Sequence, residues 1–412
     1  MNYPNNCHST VDQTYAAIIG GGAAGIFAAI QTAKRRGAST VTLLEQTQHP
    51  LAKVKISGGG RCNVTHHCFE PKELIKNYPR GSKELLSPFY RFGPQNTIDW
   101  FSSRGVALKS EADGRIFPVT DSSETIIECL MGEARREGVQ IRKGAKVTQV
   151  EKGGKGFLIH LASGKALLAK RLLLATGSTR KGFEIAIDLG HTIEEPVPSL
   201  FTFNTPTSPL IDLPGISLDS ARASLPEFGL SYTGPLLLTH WGFSGPAVLK
   251  LSAFGARHLH SCGYTTELQI DWLPDIPQAA LERACEEARR ERAGRSIAKE
   301  PLFKAIPKNL WRRLSLLAEV EEELCWSQLS NRARERLCSA LKRSTFRIEG
   351  KSTYKSEFVT CGGVKREEVD FHTMQSKLVP SLFFAGELLD IDGITGGFNF
   401  QAAWTTGYLA DL

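Results

Sequence analysis

One stretch constrains this chain more than any other: Tyr15 to Gly25, reading YAAIIGGGAAG. Tyr15-Ala16-Ala17-Ile18-Ile19 suits a buried strand, and it runs without a break into Gly20-Gly21-Gly22-Ala23-Ala24-Gly25. An apolar helical pattern, Ile26-Phe27-Ala28-Ala29-Ile30, follows. Strand, glycine turn and helix in this order predict a dinucleotide site. Gly20 makes the tight turn, Gly22 lets backbone approach a pyrophosphate, and Gly25 lets helix and strand close up. The unpaired N–H groups of the helix N-terminus then face the phosphates. Val41-Thr42-Leu43-Leu44 reads as the second strand and ends at Glu45-Gln46. An acid roughly 20 residues after the last glycine is placed to hold ribose hydroxyls.

The 412 residues predict two or three domains. With 41% hydrophobic and 23% charged residues the composition is that of a globular protein. No run reaches the roughly 18 apolar residues of a membrane span. The polar opening MNYPNNCHSTVDQT has no apolar signal core and reads as a frayed leader. Nine scattered cysteines without C-x-x-C suggest reduced thiols, hence a cytoplasmic protein. The net charge of +7 collects largely between 282 and 343. There Arg283, Arg289, Arg290, Arg292 and Arg295 alternate with glutamates, as on a salt-bridged helix exterior. The expected partners are therefore a small-molecule substrate, with neither nucleic acid nor membrane.

A second backbone-rich loop, Ser57-Gly58-Gly59-Gly60-Arg61-Cys62-Asn63, lies a dozen residues past Glu45. Its N–H groups, beside Lys53, Lys55 and Arg61, suit a diphosphate or a flavin edge. CNVTHHC (62–68) holds two Cys and two His, but adjacent His66-His67 diverge and no zinc spacing results, so no metal is expected. Cys62 as a redox thiol lacks a resolving partner.

Residues 70–112 read as helices broken by prolines, and 114–119 as a short strand. Asp121-Ser122-Ser123-Glu124 caps a helix running to about Glu137. Strands are expected at 139–144, 145–152, 157–161 and 166–170, with another at Arg171–Leu174 ending in Ala175-Thr176-Gly177. Prolines 196, 198, 206, 209 and 214 mark a change of character, with strands at 200–203 and 236–239 and charged helices from 274 to about 342. Finally Leu378–Glu387 reads as a buried strand with an acid at its tip. It precedes Asp392, Gly396-Gly397-Phe398-Asn399 and a helix from Phe400 to Leu409. This is how FAD proteins close their site: the acid takes a ribitol hydroxyl, and the helix N-terminus stabilises the anionic reduced ring. FAD, rather than NAD alone, is the cofactor expected.

The runs IGGGAAGI (19–26), KISGGGRCNVT (55–65), GRIFPVTDSSET (114–125), LATGS (174–178), LTHWGFSGPAVLKLS (238–252), FVTCGGV (358–364) and TMQSKLVPSLFFAGELLDIDGITGGFNFQAAWTTG (373–407) span the chain. They resemble the BaiN-type flavoproteins of bacteria, which include the aminoacetone oxidases. The resemblance implies a Rossmann-like FAD-binding α/β domain of the two-dinucleotide-binding type, with an inserted β-barrel and helical domain. The implied division is 1–193, then 194–273 (β-rich insert), 274–345 (helical) and 346–412 (return). It further implies that Gly20, Gly22, Ala23, Ala24 and Gly25 hold the pyrophosphate, and Glu45 with Gln46 the adenosine ribose. Lys53, Ser57, Gly58, Gly59, Gly60, Arg61, Cys62 and Asn63 line the FAD, and Val147 meets adenine. Ala175, Thr176 and Gly177 pass beside it, and Gly386 and Glu387 meet the ribitol. Gly397, Phe398, Asn399 and Gln401 approach the isoalloxazine, and Asp392 and Gly396 count as cofactor-binding too. Two positions depart from the family: Ser178–Phe183 is shorter than the usual loop, and His66 replaces Asn.

The expected activity is FAD-dependent oxidoreduction, a hydride passing between flavin and a small organic substrate. No second dinucleotide motif is present, so NAD(P)H docks transiently as co-substrate, or an amine or enone reacts directly and oxygen reoxidises the ring. No catalytic residue is defined; His240 and Ser244 in Thr239–Pro246 are substrate-side candidates, with a His packed beside Trp241 as the bland reading. The rival is a flavin-containing binding or redox-sensing protein whose basic helices contact RNA or a protein partner.

Overall fold

The computed structural model describes residues 11–38, 40–352 and 359–412. The described chain divides into two compact units, Met1–Pro196 with Val359–Leu412, and Val197–Phe358.

The first unit is built on a parallel sheet. Asp12–Ile19 (β1) is its centre, because its last four residues are fully apolar and completely buried between neighbours. Val41–Leu44 (β2) pairs with it in parallel, Ile19 opposite Leu44, and Gln140–Arg142 (β3) extends that side. Val147–Gly153 (β4) and Gly156–Leu161 (β5) form an antiparallel excursion that joins Ala166–Leu174 (β6). β6 lies in parallel on the other flank of β1, followed by Leu382–Phe384 (β7). The order β7-β6-β1-β2-β3 therefore reverses direction at β1, where a cleft opens at the strand C-termini.

Several expectations need adjusting. β1 starts at Asp12, so Asp12–Thr14 is strand rather than leader; residues 1–10 lie outside the described residues. The two strands expected at 166–170 and 171–174 are one. Its first half alternates buried and half-buried positions, whereas Leu172–Leu174 are all buried.

Ala23–Arg36 (α1) covers the sheet and packs on the C-terminal helix Phe398–Leu409 (α3). The helices come close because small residues meet: a methyl added at Gly407 would lie 2.6 Å from the Ala24 carbonyl. Phe27, Trp100 and Trp404 fill the adjoining core, with ring centroids 4.8–5.5 Å from Phe27.

His191 is buried in this unit, its Nε2 2.8 Å from the Ser376 hydroxyl. Burial holds its pKa below the usual value, and the half-buried His66 is shifted the same way. Both therefore take a proton less readily when folded than when unfolded. The stability they contribute is complete above about pH 6.5 and is lost as the pH falls through the window beneath it. Thermal melts between pH 7.5 and 5.5 should show a falling Tm, with a shallower slope in His191→Gln. An equal slope would exclude His191 as a source.

The second unit carries a seven-stranded antiparallel sheet in the order 344–349, 265–271, 217–225, 230–238, 242–244, 202–204, 351–352. The first and last strands of this path are one stretch of chain bent at Gly350, so the sheet curls back on itself. Ser344–Glu349 thus belongs with the insert, and the division at Val359 falls later than the 346 expected. Helices Gln278–Glu291, Lys308–Leu317 and Asn331–Lys342 share one core with the sheet, including Phe203, Trp272, Trp311 and Trp326. Of the arginines expected on their exterior, Arg289 pairs with Glu286 and Arg295 with Glu300. Arg283, Arg290 and Arg292 make no ion pair among the described residues.

Candidate functional site

The turn after β1 is shaped by two close approaches. A methyl on Gly20 would sit 2.3 Å from the Ala175 carbonyl, and one on Gly25 2.0 Å from the Gly20 carbonyl. Both are excluded, so β1, β6 and α1 meet with backbone against backbone. Gly22 differs. Its φ of −82° and ψ of −172° suit any residue, and nothing lies within 4 Å of an added methyl. The chain itself does not require glycine there; an incoming ligand would. Gly22 is the N-cap of α1 without side-chain capping, and the first turn contains no acid. The N–H groups of Ala23 and Ala24 are therefore free for an anion.

Glu45 follows β2 and closes one side. Its Oε2 accepts from Gly21 N–H at 2.8 Å and its Oε1 from Thr47 N–H at 2.7 Å. Each oxygen keeps a further lone pair for hydroxyl donors. Ile19, Gly20, Glu45, Gln46, Val147, Thr176, Lys181 and Ile185 line one cleft of about 430 Å3, its mouth included. The residues assigned to adenosine from the sequence are thus brought together. Lys181 and Ile185 were not anticipated. The shortened Ser178–Phe183 segment leads into the helix Arg180–Asp188 (α2), which supplies the cleft wall. Thr179 caps it, accepting from Gly182 N–H at 3.2 Å, a Thr-x-x signal legible in the sequence.

In the second loop, Ala52 begins a helical turn that breaks at Ser57. Gly58, Gly59 and Gly60 are all left-handed (φ +56°, +68° and +85°), a run that only glycine adopts readily. Gly59 and Gly60 have open space where side chains would stand. The basic side chains beside them are committed elsewhere, which corrects one expectation. Arg61 binds Glu111 at 2.6 Å and lies 3.9 Å over the Phe117 ring. Lys55 pairs with Glu124 at 2.8 Å. Lys53 reaches Glu387 at 2.6 Å, joining this loop to the tip of β7. The loop therefore offers backbone N–H groups rather than free cations. Cys62 is fully buried, and burial pushes its thiol up to about 12, which leaves no thiolate for redox work. His66 stacks on Phe398 and His67 packs at a tilt against Phe69, with centroids 4.7 and 4.4 Å apart, so the two imidazoles have different partners.

At the other end, three side chains expected on the cofactor are bonded to other parts of the protein. Asp392 is 1% exposed and forms a two-pronged ion pair with Arg80. Asn399 clamps Gly393 through N–H and carbonyl at 2.8 and 2.9 Å. Gln401 is fully buried with its amide satisfied by Thr65, Thr97, Phe92 and Thr405. The N–H of Gly386 is likewise taken, by the Thr406 hydroxyl at 3.0 Å. What remains open to a ligand is main chain: Gly396 and the first turn of α3, again free of acid. Asn63 ties the two loops together, its amide oxygen accepting from Gly397 N–H at 2.9 Å while its nitrogen donates to Thr65 and Ile116 carbonyls.

In the second unit, His240 is exposed beside Trp241, which is 60% exposed, so the two are not packed into a core. The turn beneath them is fixed, with Trp241 and Gly242 N–H donating to Thr239 Oγ1 at 3.3 and 3.2 Å. The Ser244 hydroxyl is engaged by Thr202 at 3.0 Å.

A parallel sheet reversing at β1, with two acid-free helix N-termini and two open glycine loops, fits an extended diphosphate-bearing cofactor. Together they define an FAD-binding α/β flavoprotein of the oxidoreductase class. Residues 14–412 match the HI0933-like protein Rossmann domain, and the chain belongs to that family of BaiN and aminoacetone-oxidase-type FAD-dependent oxidoreductases. It is 32% identical over 403 residues to the 3-dehydro-bile acid delta(4,6)-reductase of Clostridium scindens, covering 95% of this chain and 97% of that one. It is also 32% identical over 407 residues to the ribosomal RNA dihydrouridine synthase of Escherichia coli, covering 95% and 96%. A solved 3-ketosteroid-delta4-(5alpha)-dehydrogenase from Rhodococcus jostii shares the fold at 13% identity, with a TM-score of 0.53 over 98% of each chain. No helix among the described residues is long and apolar enough to cross a membrane.

Proposed function

We propose that this chain reduces a carbon–carbon double bond conjugated to a carbonyl, with FAD bound in the first unit and NAD(P)H as reductant. The observation that carries the reading is the rigid, acid-free N-terminus of α3, a positive dipole end suited to an anionic reduced ring. The two relatives support the bond type. A double bond at position 4 of a 3-oxo bile acid, and the one saturated when uridine becomes dihydrouridine, are each conjugated to a carbonyl. Bound FAD supplies a hydride at N5 for the β carbon of such a system.

The protein's part is to bind and orient. Ala23 and Ala24 N–H groups hold the diphosphate, Glu45 and Gln46 the adenosine ribose, and Val147 with Ile185 flanks the adenine. The backbone of 57–60 and of Gly396–Phe398 lies along the ring system, and Glu387, held by Lys53, meets the ribitol. Solvent supplies the proton that the α carbon needs, and His240 and Trp241 stand exposed on a turn of the second unit. Ser244, engaged by Thr202, supports that turn.

A second reading keeps the chemistry but places the double bond in a uracil of RNA. It is favoured by the equal identity to the dihydrouridine synthase and by Arg283, Arg290 and Arg292 on the helical exterior.

Anaerobic stopped-flow separates these outcomes. NADPH or NADH should bleach the flavin, and a 3-oxo-4-ene steroid should restore its colour while the saturated ketone does not. Recovery with a uridine-bearing rRNA fragment alone, falling steeply with salt, selects the second reading. Bleaching by a primary amine, with peroxide on admitting air, would replace both with an oxidase.

A further inference from the structure

We infer that the buried hydrogen-bond network around Gln401 is a positioning device: it fixes the N-terminus of α3 and thereby sets how readily the bound flavin accepts electrons. The inference rests on the FAD reading above and concerns buried side chains that are bonded to one another.

Gln401 lies one turn into α3, a helix buried largely through apolar side chains such as Phe398, Ala402, Trp404 and Leu409, with Thr405 and Thr406 buried beside them. Its Oε1 accepts from the Thr65 hydroxyl at 2.6 Å and the Thr97 hydroxyl at 2.9 Å. Its Nε2 donates to Thr405 Oγ1 at 3.0 Å and the Phe92 carbonyl at 3.3 Å. Thr405 in turn donates to that carbonyl at 2.8 Å. Thr65, Thr97, Gln401 and Thr405 are all at most 1% exposed. The same stretch is tied again nearby: Trp404 Nε1 donates to the Val64 carbonyl at 2.9 Å, and the Tyr78 hydroxyl to the Phe398 carbonyl at 2.6 Å. A methyl on Gly397 would stand 2.5 Å from the Thr65 carbonyl. Residues 63–65 and the first turn of α3 are therefore locked in register.

Apolar packing alone is non-directional and would hold this helix in place without fixing its axial position. A satisfied polar network in a low-dielectric core does fix it, because each bond tolerates only small changes of distance and angle. That matters at a helix N-terminus, whose field acts within its first turn. Donors stabilise developing negative charge only when they are held in place beforehand. Loosening α3 should make the flavin harder to reduce, while the diphosphate and adenosine contacts, made by other elements, keep FAD bound.

The test uses the FAD-loaded full chain and reads the flavin midpoint potential by dye equilibration, with the FAD Kd measured in parallel. Gln401→Leu, and the milder Thr97→Val, should shift the potential to more negative values, with Kd changing less than about threefold. Adding Thr65→Val and Thr97→Val to Gln401→Leu removes the stranded hydroxyls and should recover thermal stability. The potential should stay low in this triple variant. A potential unchanged in Gln401→Leu, or recovering together with Tm, overturns the inference. A wild-type protein that binds no FAD would instead sink the cofactor reading, an outcome visible before any variant is made.

Discussion

Gly22→Asp should give a protein that no longer holds FAD yet is at least as heat-stable as the FAD-free wild type. The two halves of this expectation come from the same geometry. Gly22 has extended dihedrals and open space around it, so an aspartate enters without strain or clash. It would stand at the N-cap of α1, which has no side-chain cap and no acid in its first turn. There it gains a few tenths of a kcal/mol to about 1 kcal/mol by accepting from N2 or N3. The same carboxylate occupies the place of a diphosphate. Two like charges about 4 Å apart repel by about 4 kcal/mol at an effective dielectric constant of 20, so affinity should fall by about 10³-fold. Gly22→Ala should cost far less. The measurements are an FAD titration by flavin fluorescence and a thermal melt of FAD-free protein. Retained yellow colour in Gly22→Asp would mean that no diphosphate lies at this helix.

What could be read in the sequence divides along a physical line. The β1 turn, Glu45, the glycine loop at 58–60 and the turn at 396–397 were legible because their roles are written in local backbone. Glycine where no Cβ fits, and strand and helix signals within a few residues, do not depend on distant partners. The side chains assigned to the flavin near the end of the chain were less legible for the opposite reason. Asp392 pairs with Arg80 across 312 positions, and Gln401 meets Thr65 across 336. Nothing in the local spacing announces those partners. Lys55 and Arg61 looked like phosphate ligands until the fold supplied Glu124 and Glu111. β6 was read as two strands because its pattern changes at Lys170-Arg171. Before that point it lies between β1 and the antiparallel β5 with alternate positions half-covered, and after it between β1 and β7, buried on both faces. The strand Ser217–Leu225 carried no clear signal either. Its inward positions include Ala221 and Ala223, and its register slips between Leu218 and Ala221.

The Arg80–Asp392 pair supplies the second large effect, and it separates folding from cofactor binding. The carboxylate is 1% exposed and the guanidinium about 10%, so neither reaches bulk water. Arg80→Ala would leave a buried charge without its main counter-ion. Breaking such a pair from one side costs about 3–5 kcal/mol, a large share of the stability of a typical domain. Asp392→Asn removes the negative charge facing the guanidinium instead, and should also destabilise, though less, because the amide oxygen still accepts a hydrogen bond. A Coulombic pair buried this deeply is weakly screened, so the loss should persist in high salt. If Asp392 worked on the flavin, Asp392→Asn would change the visible spectrum or the FAD Kd at temperatures where the protein is fully folded. The arrangement found here gives the reverse: a lowered urea midpoint for both variants, with an unaltered flavin spectrum in the folded protein. The pair also bridges Arg80, at the entrance to helix Ser82–Arg91, to the segment leading into α3. Its loss should therefore speed hydrogen exchange of the first-turn amides of α3 more than that of α1. A uniform increase across both helices would show that the pair supports the unit as a whole and not this end of the site.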